Sequence, residues 1–198
     1  MKAPARTYSL GARATAMEAT RVRILDAAFG LWRERWYDDV TLADVAAAAG
    51  VSVQTVVNHF GGKAGLVEAV ADWMTPSVEA VRDAPAGDLP RIVAALFDDY
   101  EANGEATFRW NAEAARVPPI AGVLARARAS HRRWLERVFA DRLPARGAAR
   151  ERALTLHYAA TDVYLWKLWR LDLGVSRPDA ERAMRELLAG IDPRRSAR

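Results

Sequence analysis

Two side-chain amides, Gln54 and Asn58, stand four residues apart in the run Ser52-Val53-Gln54-Thr55-Val56-Val57-Asn58-His59-Phe60. On a helix, residues at that spacing share a face. An amide offers an acceptor and donors side by side. That pairing meets the edge adenine shows in the DNA major groove, while Val53 and Val57 suit the thymine methyl. Thr41, Ser52, Thr55, His59 and Lys63, in or near the run, carry hydroxyls, an imidazole and an ammonium. Other chemistries find little support. The chain has no cysteine, and its histidines (His59, His131 and His157) are scattered, so no metal site is expected. No serine sits in a nucleophile elbow, so no catalytic residue is assigned and an enzyme is not the expectation. Gly61-Gly62-Lys63 lacks the spacing of a phosphate loop and follows a helix, not a strand. No cofactor is implied.

Presenting those amides requires a particular set of elements. Val22, Leu25, Ala28, Phe29 and Trp32 recur at helical spacing and predict a first helix from about Glu18 to Arg35. Thr41, with Asp44 three residues on, resembles a capping box and opens a second helix, Leu42 to Ala49. Gly50 ends it, Val51 plugs the turn, and Ser52 caps a third helix over 53–59. Small alanines on the second helix allow close crossing, and Val56 and Phe60 anchor the third. Two short helices joined by a three-residue turn form a helix-turn-helix, which offers one helix to the major groove. A fourth helix is expected from Lys63 to about Val81, then a loop over 83–90 with Pro85, Gly87 and Pro90.

The segment Thr41…Val45-Ala46…Ala49-Gly50-Val51-Ser52…Thr55-Val56…His59-Phe60…Lys63…Leu66, preceded by the Leu25-Asp-Ala-Ala-Phe29 core, resembles the TetR family of bacterial transcriptional regulators. The likeness is strong over about residues 20–70. It implies that Val53, Gln54, Val57 and Asn58 read bases and that Thr41, Ser52, Thr55, His59 and Lys63 contact phosphates. It further implies a homodimer on a palindromic operator in double-stranded DNA, with two reading helices about 34–36 Å apart. A small-molecule effector, unknown here, would release it as a repressor. Two departures stand out: Val57 replaces the tyrosine common in the family, and Trp36 replaces a helix-ending glycine.

Beyond residue 88 only helical patterns occur: 89–103, 105–116, 120–142, 149–173, and a last helix capped by Ser176 and running to about Ala189. The expected fold is all-α with about nine helices. A flexible basic arm (1–17) is followed by a DNA-binding domain (18–62) and a larger helical domain (63–198) for ligand binding and dimerisation. The second domain is rich in rings, and such rings form apolar pockets with few polar groups. Phe97, Tyr100, Phe108, Trp110, His131, Trp134, Tyr158, Asp162 and Trp166 are the pocket candidates. By the resemblance, the last two helices pair with their copies through Leu165, Leu168, Trp169, Met184, Leu187, Leu188 and Ile191. Two other readings fit the sequence: a regulator whose second domain only dimerises or binds a protein, and a helical carrier or enzyme without DNA binding.

Bulk charge decides little. The net charge is +4, yet residues 1–75 carry eight basic and eight acidic side chains. DNA binding must rest on local geometry. No segment approaches the roughly 20 apolar residues of a membrane span, and the first 20 residues lack the apolar block of a secretory signal. The expectation is a cytoplasmic protein with no membrane partner.

Overall fold

A computed structural model describes residues 6–191, with side chains from Arg13 onward. All regular structure among the described residues is helical. The elements are α1 (Arg6–Glu34), α2 (Leu42–Ala49), α3 (Val53–Phe60), α4 (Lys63–Val81), α5 (Leu89–Glu113), α6 (Pro118–Val138), α7 (Ala148–Thr161), α8 (Val163–Lys167), a π-helical turn (Leu168–Asp172) and α9 (Arg177–Gly190). They form two compact units that divide after Trp73. The domain boundary expected from sequence was 62/63. No described helix is long and apolar enough to cross a membrane.

In the first unit, α1 buries Ile24, Leu25, Ala28 and Trp32. Val22, expected on that stripe, is exposed, and Ile24 takes the inward place. The helix also starts at Arg6, twelve residues before the expected Glu18. Residues 6–17 are therefore helical where a flexible arm was expected, and residues 1–5 lie outside the described part. Ala12, Ala14, Ala16 and Ala19 supply strong helix formers, and a single Gly11 costs only about 1 kcal/mol. Trp36 closes α1 without left-handed backbone. The amide of Asp39 donates to the Trp36 carbonyl at 3.1 Å, and Tyr37 stacks on Trp32 with ring centroids 5.9 Å apart.

The second unit has one core. Ile92, Val93, Leu96 and Phe97 of α5 meet Trp134, Leu135 and Val138 of α6, Leu154 of α7, Trp166 of α8, and Ala180, Met184 and Leu188 of α9. The helices expected at 89–103 and 105–116 are one continuous α5, because Gly104 sits mid-helix and does not break it. The long helix expected at 149–173 is instead interrupted. Thr161 ends α7, the Asp162 carboxylate accepts from the Tyr164 amide at 3.0 Å to start α8, and the π-helical turn follows.

Gly104 explains why α5 and α8 lie so close. A Cβ there would stand 2.5 Å from the Trp166 ring, inside contact distance. A methyl at Gly122, on the exposed face of α6, would have nothing within 4 Å. Gly104→Ala should destabilise the protein by about 1–3 kcal/mol through overpacking. Gly122→Ala should stabilise it by about 0.4–1 kcal/mol by restricting the unfolded chain. Urea unfolding of both variants checks the pair; equal effects would contradict the packing account.

Candidate nucleic-acid interface

The reading head is built from its caps inward. Thr41 and Asp44 form a reciprocal box: the Thr41 amide donates to Asp44 Oδ2 at 2.7 Å, and the Asp44 amide donates to Thr41 Oγ1 at 3.1 Å. The bonds from Thr41 hold the Asp44 carboxyl below its ordinary pKa, with Arg35 and Lys63 adding to the effect. At the other end of α2, Gly50 adopts φ 65°, so its amide reaches the Ala47 carbonyl at 3.2 Å and the Val51 amide reaches Ala46 at 2.9 Å. This is the Schellman ending, and its left-handed residue favours glycine. Ser52 then caps α3: the Thr55 amide donates to Ser52 Oγ at 3.1 Å, and the two hydroxyls lie 2.8 Å apart.

An eight-residue α3 has few side chains to divide between core and surface. Val56 and Phe60 are its buried residues. Val53, Gln54 and Asn58 are exposed, and Thr55, Val57 and His59 are half-buried. The base-reading candidates therefore gather on one open face. Gln54 Nε2 donates to Asn58 Oδ1 at 2.8 Å, tying the two amides together. Of the phosphate candidates, Thr41 and Ser52 are exposed caps. Lys63 Nζ lies 4.1 Å from the centre of the Tyr37 ring, so its ammonium rests on an aromatic face at the start of α4. The His59 ring stands beside Phe60. Sequence reasoning missed Tyr37 as the seat for Lys63, although an aromatic just after α1 was visible.

This arrangement is a helix held clear of its support by two anchors, with polar tips outward. Residues 24–70 match the family model described as bacterial regulatory proteins, tetR family. Over this segment the chain is similar to that family's helix-turn-helix. The chain is 36% identical over 97 residues to the HTH-type transcriptional regulator AlkX of Mycobacterium tuberculosis, covering 45% of this chain and 46% of that protein. It is 34% identical over 99 residues to the HTH-type transcriptional regulator BetI of Serratia proteamaculans, covering 46% and 50%. The matched stretch spans about half the length of these curated relatives. Among solved structures, Salmonella enterica GusR aligns with a TM-score of 0.70 at 21% identity, over 87% of this chain and 95% of that one. A tetR-family transcriptional regulator from Streptomyces coelicolor gives 0.67 at 20% identity, over 88% and 79%. At such identities the likeness is one of fold, and it covers most of the chain.

The second unit of this TetR-like fold gathers only some of the ring residues singled out as pocket candidates. Tyr100, His131 and Trp134 surround Arg82, with Tyr158 behind His131. The Arg82 guanidinium lies over the Tyr100 and Trp134 rings at 5.1 and 5.7 Å, and His131 stacks on Trp134 and meets Tyr158 edge-on. Trp166 packs against Tyr100 with centroids 6.0 Å apart. Phe97 is core: it has no exposure at all, so no space the size of a water adjoins it. Phe108 pairs with Tyr164 and lies under Lys167, away from Arg82's partners, and Trp110 and Asp162 are half-buried.

Arg82 anchors a chain of polar contacts through this apolar core. Its Nε donates to Asp99 Oδ2 at 2.7 Å, and Asn103 Nδ2 donates to Asp99 Oδ1 at 3.1 Å. Arg82 Nη1 lies 2.9 Å from His131 Nδ1, and a guanidinium can only donate. His131 therefore carries its proton on Nε2, which donates to Thr161 Oγ1 at 3.0 Å. Thr161 in turn donates to the His157 carbonyl at 2.8 Å, and Tyr100 donates to the Thr161 carbonyl at 2.9 Å. Burial, with Arg82 beside it, drives the His131 pKa down from 6.5 to about 3. Burial pushes the Tyr100 hydroxyl up. The sequence did contain a signal for this network: Asp99 falls beside the apolar row Ile92-Leu96-Tyr100, and a carboxylate buried there needs a partner.

Two dimer-interface candidates are corrected. Met184 and Leu188 have no exposure within one chain, because the i, i+4 row Ala180-Met184-Leu188 is the core face of α9. Leu168 and Leu187 are exposed, and Leu165, Trp169 and Ile191 are half-buried.

Removing Asp99 alone strands the Arg82 charge in the core. Asp99→Ala should cost about 3–5 kcal/mol, whereas Arg82→Met combined with Asp99→Leu should recover most of that loss. Chemical denaturation of both checks this, and a mild Asp99→Ala would contradict it. Because the folded His131 pKa lies below the unfolded one, only the unfolded chain binds the proton between them. Stability should be full above pH 6.5 and fall as pH drops from about 6.5 toward about 3. His131→Gln, which keeps a donor and an acceptor but does not titrate, should flatten that part of the pH profile.

Proposed function

We propose that this protein is a transcriptional regulator of the TetR type: a repressor that binds a palindromic operator as a homodimer and leaves it when a small, largely apolar or aromatic effector binds. One observation carries the DNA-binding half of this reading. The outer face of α3 brings Val53, Gln54, Val57 and Asn58 together while Val56 and Phe60 hold the helix from behind. Thr41, Ser52, Thr55, His59 and Lys63 flank that face as phosphate contacts.

Dimerisation is supported by exposed apolar side chains late in the chain. Leu156, Tyr164, Leu168, Leu171, Leu173 and Leu187 all lie open on the second unit. With Leu165, Trp169 and Ile191 at the margin, they offer a surface for a second copy. The effector site would involve Phe108, Trp110, Tyr158 and Asp162, which are half-buried, with Tyr100, His131, Trp134 and Trp166 behind them. α4 carries the chain from the reading head into this unit, so a shift of its C-terminal end is the natural route to release. Coupling of about 1–3 kcal/mol would be typical.

A second reading has its own support. The core ring Phe97 is fully enclosed, and the groups around Arg82 bond one another. A second unit of that kind suits a domain that only dimerises or binds a protein.

The test uses purified full-length protein and random-sequence duplex DNA. Binding should weaken steeply with salt, and Lys63→Ala should reduce the slope of log K against log salt by about one. Sedimentation should show a dimer that becomes a folded monomer in Leu168→Asp with Leu187→Asp. Salt-independent or absent DNA binding would sink the regulator reading. A monomeric wild type would sink the palindrome.

A further inference from the structure

We propose that Gln54 reads one adenine in each site and that Asn58 is a positioning residue that fixes which way the Gln54 amide faces. This deepens the reading of α3 as the helix that enters the major groove, and it rests on that reading. The decisive feature is the direction of one bond: Gln54 Nε2 donates to Asn58 Oδ1 at 2.8 Å. The bond uses one Nε2 hydrogen. Gln54 keeps Oε1 as an acceptor and its second Nε2 hydrogen as a donor, with no other partner for either among the described residues.

An acceptor beside a donor matches adenine, which shows the N6 amino group and N7 side by side in the major groove. Guanine shows two acceptors there, O6 and N7, so Gln54 Oε1 would face an acceptor and lose a bond. With the bond reversed, Asn58 donating to Gln54 Oε1, Gln54 would present two donors and the preference would pass to guanine. The i, i+4 bond therefore sets the base, not merely the strength of contact. Val53 and Val57 flank the fork, and their methyls suit the thymine methyl that an A·T pair places in the same groove.

All four side chains concerned lie on the surface or half-buried, so the variants should fold. Purified full-length protein is used to select sequences from a random duplex DNA pool, alongside Gln54→Ala, Asn58→Ala and Asn58→Asp. The wild type should enrich sequences with an A·T pair fixed at one position. Gln54→Ala should lose preference at that position alone. Asn58→Ala should broaden the same position to adenine or guanine, because the freed amide can turn over. Asn58→Asp keeps an acceptor for Gln54 Nε2 and should restore adenine. Placing 7-deazaadenine at that position, which removes N7, should weaken the wild type by about 5- to 150-fold and leave Gln54→Ala unchanged.

Guanine at the position in the wild-type selection would overturn the proposal. So would an Asn58→Ala variant that loses preference at a different base pair, since the two amides would then read separately. A wild type that retains no DNA at low salt would remove the groove reading itself, and with it this inference. A selected consensus that Gln54→Ala leaves intact would remove this inference alone.

Discussion

Everything in the reading head depends on keeping an eight-residue helix in place with two inward side chains. Helices this short are marginal on their own, because nucleation costs more than so few bonds return. Here Val56 and Phe60 supply the burial, the Ser52 hydroxyl accepts from the Thr55 amide, and Gly61 closes the last turn. Each inward residue added would take one from the outer face. Each one lost would free the helix. The exposed amides are thus a consequence of how few contacts α3 can spare, and their rigidity comes from the caps and from their bond to each other.

The same economy made this part of the chain readable. Caps, turns and anchors depend on single residue types at fixed spacing, as with Thr41 and Asp44, Gly50, Ser52, and Val56 with Phe60. These are local signals, and α2, α3 and the start of α4 lie where the sequence predicts them. The second unit depends on contacts between distant residues, which leave weaker traces. Helical periodicity located α6, α9 and the start of α7 to within a few residues. It could not tell that Gly104 lies in mid-helix against Trp166, nor that Asp162 would interrupt the aromatic run. Nor could it assign faces: Met184 and Leu188 are apolar at helical spacing, which fits a core row and an interface row alike. Arg82 was invisible as a partner because nothing in its neighbourhood announces Asp99, 17 residues on, or His131, 49 residues on.

The Arg82 network runs against the trend of a core otherwise built from rings and aliphatics. A buried ion pair is weak evidence of stability, since desolvation offsets much of the attraction. Its worth lies in selectivity. Arg82 donates to Asp99 on α5 and to His131 on α6, and with its Nδ1 accepting from Arg82 the His131 ring donates from Nε2 to Thr161. The network ties α5, α6 and α7 together around the C-terminal end of α4 through directional bonds, at the cost of sensitivity to acid.

That position bears on how a signal would pass along the chain. Pro76 lies inside α4 and contributes no backbone amide to its ladder. A few residues later Arg82 is held by groups from α5 and α6, while the first turns of α4 bury Leu66, Val67 and Val70. α4 is thus firmly fixed at both ends and lacks a hydrogen bond between them. In the proposed regulator, an effector that displaced Tyr158 or His131 would exchange one set of buried polar contacts at Arg82 for another, a smaller demand than unfolding the surrounding core.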